Sequence, residues 1–412
     1  MTVSLRGIHD VAIVGAGMVG AALALALARE GFDVVVVEPR APAPWRVEDE
    51  VDLRVVALAP SSVDLFSRLD VWTAITSARA CAYRHMHVWD ALAPGALDFD
   101  AADLGASSLG HIVENRLIQH VLWQALRNDA RIALHCPASV AATESDERRR
   151  TLTLDDGTSL AARLVVAADG ADSALREALG IATQDRDYSQ RAIVAHVVTE
   201  RSHESTAWQR FLPEATLAFL PLADGRPLAA IPGLRGTWAP ARRSSIVWSV
   251  PNTAAERLMT LDDATFCAEL GAAFDFRLGL ISASTPRAAF PLRMRLAERY
   301  IAPRFALVGD AAHVVHPLAG QGVNLGLRDV HELCAALIEA RDAKRDFASD
   351  AVLRRYERRR RSDNALSAHA FDAIQRVFGS QLMPIAALRG LGLSAVNKIA
   401  PLKHAFARHA SG

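Results

Sequence analysis

Short apolar runs and glycine-containing turns alternate along both ends of the chain. Residues 11–14 and 34–37 are valine-rich runs typical of buried strands, and the Ala/Leu-rich stretch 18–29 between them predicts a helix. A third buried strand is predicted at residues 305–308, before a loop and an apolar helix that begins near residue 322. Buried strands that alternate with helices indicate an α/β fold of the Rossmann-like type.

The middle of the chain has a different pattern. Alternating runs at residues 192–198, 217–221 and 245–250 predict a mostly antiparallel sheet, and the looser alternation at 83–100 predicts a hairpin beside it. We expect this sheet to be inserted in the α/β domain and to be followed by a helical region. The predicted division is 1–75, 106–184 and 298–345 for the α/β domain, 76–105 and 185–297 for the inserted domain, and 346–412 for the helices.

Composition narrows the class of protein. The 412 residues suffice for two or three domains with full cores, and a formal net charge of zero argues against a general nucleic-acid binder. The four cysteines lack C-x-x-C spacing, which favours buried free thiols over disulfides or a metal site. No uncharged apolar stretch reaches the length of a membrane span. We therefore expect a soluble, cytoplasmic protein without a metal.

The first strand-to-helix turn has the G-x-G-x-x-G spacing of dinucleotide-binding units. Gly15 permits the tight turn, Gly17 the approach of a pyrophosphate, and Gly20 close packing of helix on strand. Glu38 ends the next strand, where an acid accepts a hydrogen bond from the adenosine ribose. This spacing does not distinguish FAD from NAD. The candidate binding residues of this turn are Gly15, Ala16, Gly17, Met18, Val19 and Gly20.

Two later turns have related chemistry. Asp169-Gly170 follows a buried strand and precedes a helix start at Ser173, and Asp310 follows the strand at 305–308. An aspartate at a strand end can accept from a ribose or ribitol hydroxyl, and glycines before a helix let backbone amides approach an anion. Three such turns, far apart in sequence, imply one long dinucleotide held by non-contiguous segments.

Several charged residues have two interpretations. Arg54 is either a surface arginine with a buried stem or a ligand contact. Arg116 opposes the dipole in the first turn of a predicted helix, which a phosphate or flavin would explain, as would simple exposure. Residues 354–361 predict a solvated helix face. The acid-free, basic segment 373–412 either lies on an anionic membrane or a partner, or packs on its own chain.

With these turns in place, the chain resembles the class A flavoprotein monooxygenases of the para-hydroxybenzoate hydroxylase fold over nearly its whole length. The motifs are G-x-G-x-x-G at 15–20, D-G-x-x-S-x-x-R at 169–176 and G-D-A-x-H at 309–313. Within this class it is similar to the ubiquinone-biosynthesis ring hydroxylases, the UbiH/UbiF/UbiI family, through HPLAGQGVNLGLRD, DLRVVAL, VENRLIQ and TAWQRFLP. Ser189 departs from the family, which usually has glycine there.

The resemblance implies roles for individual residues. The first turn and Glu38 would bind the adenosine diphosphate half of FAD, Asp310 the ribitol, and Asp169-Gly170 both FAD and NADPH. Arg54 and Arg116 would contact the flavin or phosphate regions. The residues expected to frame the isoalloxazine include Pro317, Gly320, Gly322, Val323 and Asn324. The candidate catalytic residues are Arg54, His316, Pro317, Gly320 and Gln321. No single general base is nominated, because the loop histidines His313 and His316 fit a structural role equally well.

The resemblance also implies a reaction. NAD(P)H, as a transient co-substrate, reduces FAD, and a flavin C4a-hydroperoxide formed with O2 hydroxylates a prenylated phenol or related quinone precursor. A hydroxylase of another aromatic compound, a flavin reductase, and a non-catalytic FAD-binding assembly subunit stay open as alternatives. The partners expected are the inner membrane surface or other ubiquinone-biosynthesis proteins, and not nucleic acid. Homo-oligomerisation stays open.

Overall fold

A computed structural model describes residues 7–93, 95–223, 242–315 and 322–379, with side chains described as far as residue 366. The helices in these ranges are α1 Met18–Arg29, α2 Pro60–Arg68, α3 Trp72–Arg79, α4 Asn115–Asn128, α5 Ala174–Ala178, α6 Asn252–Thr260, α7 Asp263–Ala273, α8 Gly322–Asp342 and α9 Asp350–Gly379. The strands are β1 His9–Val14, β2 Val34–Val37, β3 Val55–Leu58, β4 Ala80–Tyr83, β5 His85–Asp90, β6 Ala96–Asp100, β7 Gly110–Glu114, β8 Ile132–His135, β9 Val140–Ser145, β10 Arg150–Leu154, β11 Ser159–Ala167, β12 Thr183–Thr199, β13 Thr206–Leu212, β14 Ala215–Pro221, β15 Arg243–Pro251, β16 Ile281–Ser284, β17 Ala288–Ala297, β18 Ile301–Ala302, β19 Phe305–Leu307 and β20 His313–Val314.

A parallel sheet forms the first core. Its strands β19, β11, β1, β2 and β8 lie side by side in that order and run parallel, while β18, β10 and β9 extend it with antiparallel pairs. The valines of β2 are all buried, because side chains of α1, α4 and α8 pack into the same core. The predicted strand–helix–strand unit is confirmed. Since parallel strands end at one edge of a sheet, the turns after β1, β11 and β19 meet there.

A second, antiparallel sheet has the order β20, β17, β12, β15, β14, β13, β5, β6, with β16 also paired to β12. Only β13 and β5 run parallel among its described pairs. Helices α6 and α7 pack on one face, and a small sheet of β3, β7 and β4 packs on the other. The antiparallel prediction is confirmed. Residues 192–197 and 217–221 are buried on both faces of the sheet. Their alternating side chains therefore pack against protein on either side, and neither set faces water.

Helix α9 corrects the interpretation of the charge run at 354–361. Tyr356 and Arg360 are buried there, and the Tyr356 hydroxyl donates to the Leu307 carbonyl at 2.7 Å. Arg355 and Arg359 do face solvent, where they pair with Glu339 and Glu332 of α8. The prediction of a solvated face is therefore wrong for one side of the helix, which packs against the end of β19.

The described ranges contain neither a membrane-spanning helix nor a metal-binding cluster. There, no helix combines the length and apolarity that a membrane crossing needs. No group of three or more His, Cys, Asp or Glu side chains is arranged to hold a metal within the same ranges. The four cysteines are free thiols, of which Cys267 and Cys334 are buried. Cys81 and Cys136 are only partly buried, so the expectation of buried thiols is wrong for these two.

A bulge explains the departure at Ser189. The pairing of β12 with β17 shifts register between Asp187 and Arg191, and Ser189 within this bulge has φ of 53°. Its amide donates to the Asp187 carboxylate at 2.7 Å. A left-handed conformation strains a residue that carries a Cβ atom. Glycine, which the similar family usually has here, adopts it freely.

Ser189→Gly should therefore raise the free energy of unfolding by about 1 kcal/mol, because it removes most of this strain. Urea unfolding of both proteins measures the difference. The matched control is Ser145→Gly at the end of β9, outside the positive-φ positions, which should lower stability by about 0.5–1 kcal/mol. A destabilised Ser189→Gly protein would show that the serine side chain, rather than backbone strain, decides this position.

Candidate cofactor site

The three predicted turns touch each other at the edge of the parallel sheet. Gly15 has φ of 100°, and a Cβ atom there would lie 2.4 Å from the carbonyl oxygen of Ala168, immediately before Asp169. A Cβ atom on Gly309 would lie 3.2 Å from the side chain of Val19 in α1. The second and third turns therefore both pack against the first, and the prediction that they converge is confirmed.

The glycines of the first turn differ in what requires them. A Cβ atom on Gly20 would lie 2.0 Å from the Gly15 carbonyl oxygen, so packing within the protein requires both of these glycines. A Cβ atom on Gly17 would meet nothing within 4 Å. Gly17 precedes α1, whose free amides and dipole favour an anion. Packing within the protein does not require a glycine at position 17. A pyrophosphate bound in the open space beside Gly17 would require one.

The Glu38 side chain forms hydrogen bonds that stabilise the first turn. Its Oε2 accepts from the Ala16 amide at 2.6 Å, and its Oε1 accepts from the Arg40 amide at 3.1 Å. Each carboxylate oxygen can accept more than one hydrogen bond, so a ribose hydroxyl could still bind. The structure thus assigns Glu38 a turn-stabilising role that the sequence analysis did not predict, and the ribose role stays a prediction.

The second turn presents a buried oxygen that has no partner. Asp169 Oδ2 accepts from the Leu175 amide at 3.4 Å, whereas Oδ1 is buried without a hydrogen bond in the described part of the chain. Gly170 next to it has φ of 88°, which glycine adopts without strain. Leaving a buried carboxylate oxygen unpaired is costly, which favours a donor supplied by a ligand. Arg176 of the same motif donates to the Ala311 carbonyl at 2.9 Å and joins this turn to the third.

Asp310 in the third turn is open to water yet surrounded by protein. Burial raises the pKa of its carboxyl group above the usual range, and the nearby charges of His313 and Arg54 act in the opposite direction. Arg54 itself is exposed, with its guanidinium carbon 5.9 Å from the centre of the Phe290 ring. Arg54 therefore lies between the third turn and the antiparallel sheet, as a ligand contact would require.

A buried carboxylate that the sequence analysis missed holds the third turn. Asp329 of α8 accepts from the Gly309 amide at 2.9 Å, from His313 Nε2 at 2.6 Å and from Arg360 Nε at 2.7 Å. Burial raises its pKa, but His313 and Arg360 outweigh this effect and hold the pKa below the usual range. An ionised carboxylate only accepts, so His313 donates through Nε2. His313, one of the histidines near the predicted site, therefore has a structural partner.

Hydrogen bonds from Asn324 connect the first turn of α8 to the end of β3 and the start of α2. The Asn324 side chain accepts from the Ala59 amide at 2.9 Å and the Ser62 hydroxyl at 2.7 Å, and donates to the Ala57 carbonyl at 2.7 Å. Any contact of Asn324 with a cofactor would therefore use its backbone. A Cβ atom on Gly322 would meet nothing within 4 Å, so space is open at the start of this helix. Val323 is half-buried against the parallel-sheet core.

The remaining predicted residues fall into three groups. Arg116 donates to the Pro44 carbonyl at 2.9 Å and lies 3.9 Å from the Asp49 carboxylate, so the structure connects it to the segment after β2 rather than to the three turns. Four candidates lie outside the described residues, namely His316, Pro317, Gly320 and Gln321. Met18 packs against the parallel-sheet core.

Comparison with known proteins identifies the family. A family model described as FAD binding domain matches residues 9–367. The 3-demethoxyubiquinol 3-hydroxylase of Escherichia coli K12 is 39% identical over 405 residues, which cover 98% of each chain. The ubiquinone hydroxylase UbiL of Rhodospirillum rubrum is 37% identical and aligns with 100% of this chain and 91% of its own. The chain belongs to the family of FAD-dependent ubiquinone-biosynthesis hydroxylases.

Solved structures agree with the fold of this family. P. aeruginosa PqsL, in complex with 2-aminobenzoylacetate, has a TM-score of 0.74 and 22% identity, and the match covers 92% of this chain and 99% of that one. This degree of identity supports the fold alone. The resemblance inferred from the motifs and the predicted fold class are both confirmed, with an FAD-binding parallel sheet and an antiparallel sheet beside it.

A buried histidine of this family member joins the antiparallel sheet to the segment that carries Arg54. His196 in β12 is 2% exposed, and its Nε2 donates to the Asp52 carbonyl at 3.0 Å. Burial lowers the pKa of His196 to about 4; the charge of Arg243 adds to this effect, and Asp52 opposes it. The alternating run that contains His196 was predicted, but this long-range hydrogen bond has no local signal in the sequence.

His196 should make the hydroxylase sensitive to mild acid. A histidine in the unfolded chain has a pKa near 6.5. Between pH 6.5 and 4, His196 is therefore mostly protonated in the unfolded chain and mostly neutral in the folded chain. Stability is therefore complete above pH 6.5 and falls as the pH drops, by about 2 kcal/mol at pH 5. Urea unfolding at pH 7 and pH 5 measures this loss.

The His196→Gln variant should lose much less stability between these two pH values. The matched control is His331→Gln, since His331 is 62% exposed, and it should keep the loss seen for the unaltered protein. Equal losses for the His196→Gln variant and the unaltered protein would show that other groups set the acid response.

Proposed function

We propose that this chain hydroxylates the aromatic ring of a prenylated phenol in ubiquinone biosynthesis, using FAD, NAD(P)H and O2. The observation that carries the proposal is the convergence of three ligand-binding turns at one sheet edge, with Arg54 between that edge and the antiparallel sheet. The name of the Escherichia coli relative supports the class of substrate, because it is a hydroxylase of 3-demethoxyubiquinol.

The residues of the site fit FAD. Gly17 leaves open space at the start of α1 for a pyrophosphate, and the unpaired Asp169 Oδ1 needs a donor that a hydroxyl or amide can supply. Asp310 offers an accessible carboxylate for a polyol chain. When bound, FAD supplies electron transfer from NAD(P)H and the activation of O2.

The chain's own groups provide binding, orientation and charge. The amides at the start of α1 would bind phosphate oxygens, and Asp310 would accept from a ribitol hydroxyl. The start of α8, with open space beside Gly322, would favour negative charge on the cofactor. Asn324 and Asp329 keep that helix in place through their buried hydrogen bonds. Arg54 would complete the site from the side of the antiparallel sheet.

The test is incorporation of oxygen. Purified protein loaded with FAD should convert a prenylated phenol, with NAD(P)H and ¹⁸O2, into a product heavier by one labelled oxygen atom. Gly17→Val should bind no FAD and form no product, because a side chain would fill the pyrophosphate space. A protein that binds FAD and oxidises NAD(P)H without labelling any phenol would be a flavin reductase, and the proposal would be wrong.

We also propose that the basic segment 373–412 brings the enzyme to an anionic membrane surface, where a prenylated substrate resides. After Asp372 the segment has no acid, and it holds Arg376, Arg389, Lys398, Lys403 and Arg408 among apolar residues. Each such charge contributes about 1 kcal/mol near an anionic surface, and salt screens it. Most of the segment, from residue 380 onward, lies outside the described residues.

Truncation after residue 372 should reduce co-sedimentation with liposomes that contain anionic lipid. The full-length protein should also lose binding at high salt, since screening weakens the attraction. FAD content is the control, because every predicted cofactor residue precedes the truncation. Equal sedimentation of both proteins, or binding that ignores salt, would exclude electrostatic docking by this segment.

A further inference from the structure

The second turn, residues 169–173, is held at one backbone atom by two arginines. The Ala171 carbonyl accepts hydrogen bonds from Arg176 Nη2 at 2.9 Å and from Arg295 Nη1 at 2.8 Å. A carbonyl oxygen has two lone pairs, so it can accept both. Arg176 lies in α5, which begins where the turn ends, whereas Arg295 lies in β17 of the antiparallel sheet. A side chain of the antiparallel sheet therefore contacts the candidate cofactor site.

Asp185 orients the Arg295 side chain. The two residues lie opposite each other in the pairing of β12 with β17, and Arg295 donates to the Asp185 carboxylate from Nε at 3.0 Å and from Nη2 at 2.8 Å. These hydrogen bonds hold the pKa of the Asp185 carboxyl group below its usual range, so it is ionised at neutral pH. A carboxylate that binds two nitrogens of one guanidinium group fixes its orientation. Nη1 is thereby directed at the Ala171 carbonyl.

The third turn meets the antiparallel sheet at the same strand. The chain that follows Asp310 forms β20, which pairs with β17 so that Val314 lies opposite Arg295. The Ala297 amide, at the end of β17, donates to the Ala312 carbonyl at 2.8 Å. Backbone pairing thus fixes the third turn on β17, and the Arg295 side chain fixes the second turn on this same strand.

The hydrogen bond to the Ala171 carbonyl is the contact that constrains the second turn. Arg295 Nη1 also lies 2.9 Å from the Asp172 carboxylate, but the Asp172 side chain is 93% exposed. Solvent screens an ion pair of this kind, so it contributes little. The Arg295 side chain is only 21% exposed, and its hydrogen bond to a backbone carbonyl does not depend on a mobile partner.

The constrained stretch is the open and incompletely paired part of the turn. Gly170 has φ of 88°, and a Cβ atom there would meet nothing within 4 Å. The Oδ1 atom of Asp169 is buried without a hydrogen bond in the described part of the chain. The helix start is fixed separately, because Ser173 Oγ accepts from the Arg176 amide at 3.1 Å. Arg295 therefore acts on the stretch where open space and an unpaired acceptor favour a ligand.

We infer that Arg295 is a positioning residue that aligns the cofactor edge of the parallel sheet with the antiparallel sheet. Reaction between two bound groups depends on their alignment, and a displacement of about 1 Å can slow it about a hundredfold. If the ring is misaligned, the hydride of NAD(P)H and one proton from solvent reduce O2 to hydrogen peroxide, and no oxygen reaches the ring. Arg295 thus determines how much of the NAD(P)H consumed leads to hydroxylation. This inference rests on the proposed function.

The first variant is Arg295→Met, which removes the donors and keeps much of the apolar stem. With a prenylated phenol as substrate, product formed per NAD(P)H oxidised should fall at least about threefold, and hydrogen peroxide should account for the difference. Fluorescence titration of the apoprotein with FAD should show a Kd about threefold higher, because Asp169 is held less firmly. The product ratio does not depend on how much protein is folded, so a purely structural role of Arg295 would leave it unchanged.

The second variant is Asp185→Asn, which keeps the size of the side chain but removes the charge that orients Arg295. It should lower the product ratio in the same direction and by less. Because Asp185 acts through Arg295, adding Asp185→Asn to Arg295→Met should lower the ratio no further. If Arg295→Met fails to fold or to retain FAD, the ratio measured for Asp185→Asn decides, and an unchanged ratio there would overturn the inference.

The matched control is Arg257→Met. Arg257 also binds a carboxylate through two nitrogens, since it donates to Glu269 twice at 2.8 Å, but it joins α6 to α7. This variant should keep the ratio of the unaltered protein. An unchanged ratio in FAD-loaded Arg295→Met, or an equal fall in Arg257→Met, would overturn the inference and leave the proposed function intact. An unaltered protein that oxidises NAD(P)H without forming any product would instead refute the proposed function.

Discussion

The site depends on the hydrogen bonds that the buried carboxylate of Asp329 accepts. Burying an ionised group costs several kcal/mol, and well-placed donors must offset that cost. Here the donors come from the Gly309 amide, from His313 and from Arg360, so one carboxylate connects the third turn, α8 and α9. Asp310 follows Gly309 directly. The buried carboxylate of Asp329 therefore fixes the position of Asp310, the residue proposed to bind the ribitol.

The second constraint is the close approach of backbones around Val19. Its side chain would lie 3.2 Å from a Cβ atom on Gly309 and 2.6 Å from one on Gly326. Two glycines thus let the third turn and α8 pack on the start of α1. A larger residue at either position would separate the start of α1, which is proposed to bind phosphate, from the turn that carries Asp310. Close packing of these backbones is therefore a precondition for the site.

Sequence patterns predicted the local parts of this structure well. The valine runs, the glycine spacing and the aspartates at strand ends each act within a few residues, so β1, α1, β2 and the three turns could be found from the sequence. Ser189 was recognised as unusual, and its positive φ supplies the physical reason.

Long-range partners could not be predicted in the same way. The spacing of Tyr356, Arg360 and Asn364 by four residues marks one face of α9, but no local pattern shows that this face meets Asp329. The charge of the surrounding arginines concealed that stripe. His196 likewise bonds a carbonyl 144 residues away.

The two sheets contribute different chemistry to one site. The edge of the parallel sheet offers helix starts, backbone amides and carboxylates, which suit a large, polar and partly anionic cofactor. The antiparallel sheet offers largely apolar strands and the exposed ring of Phe290, which suit an aromatic ring. Arg54 lies between them, close to Asp310 on one side and to Phe290 on the other. Because His196 holds the carbonyl of Asp52, two residues before Arg54, the antiparallel sheet also helps to position the residue that links both surfaces.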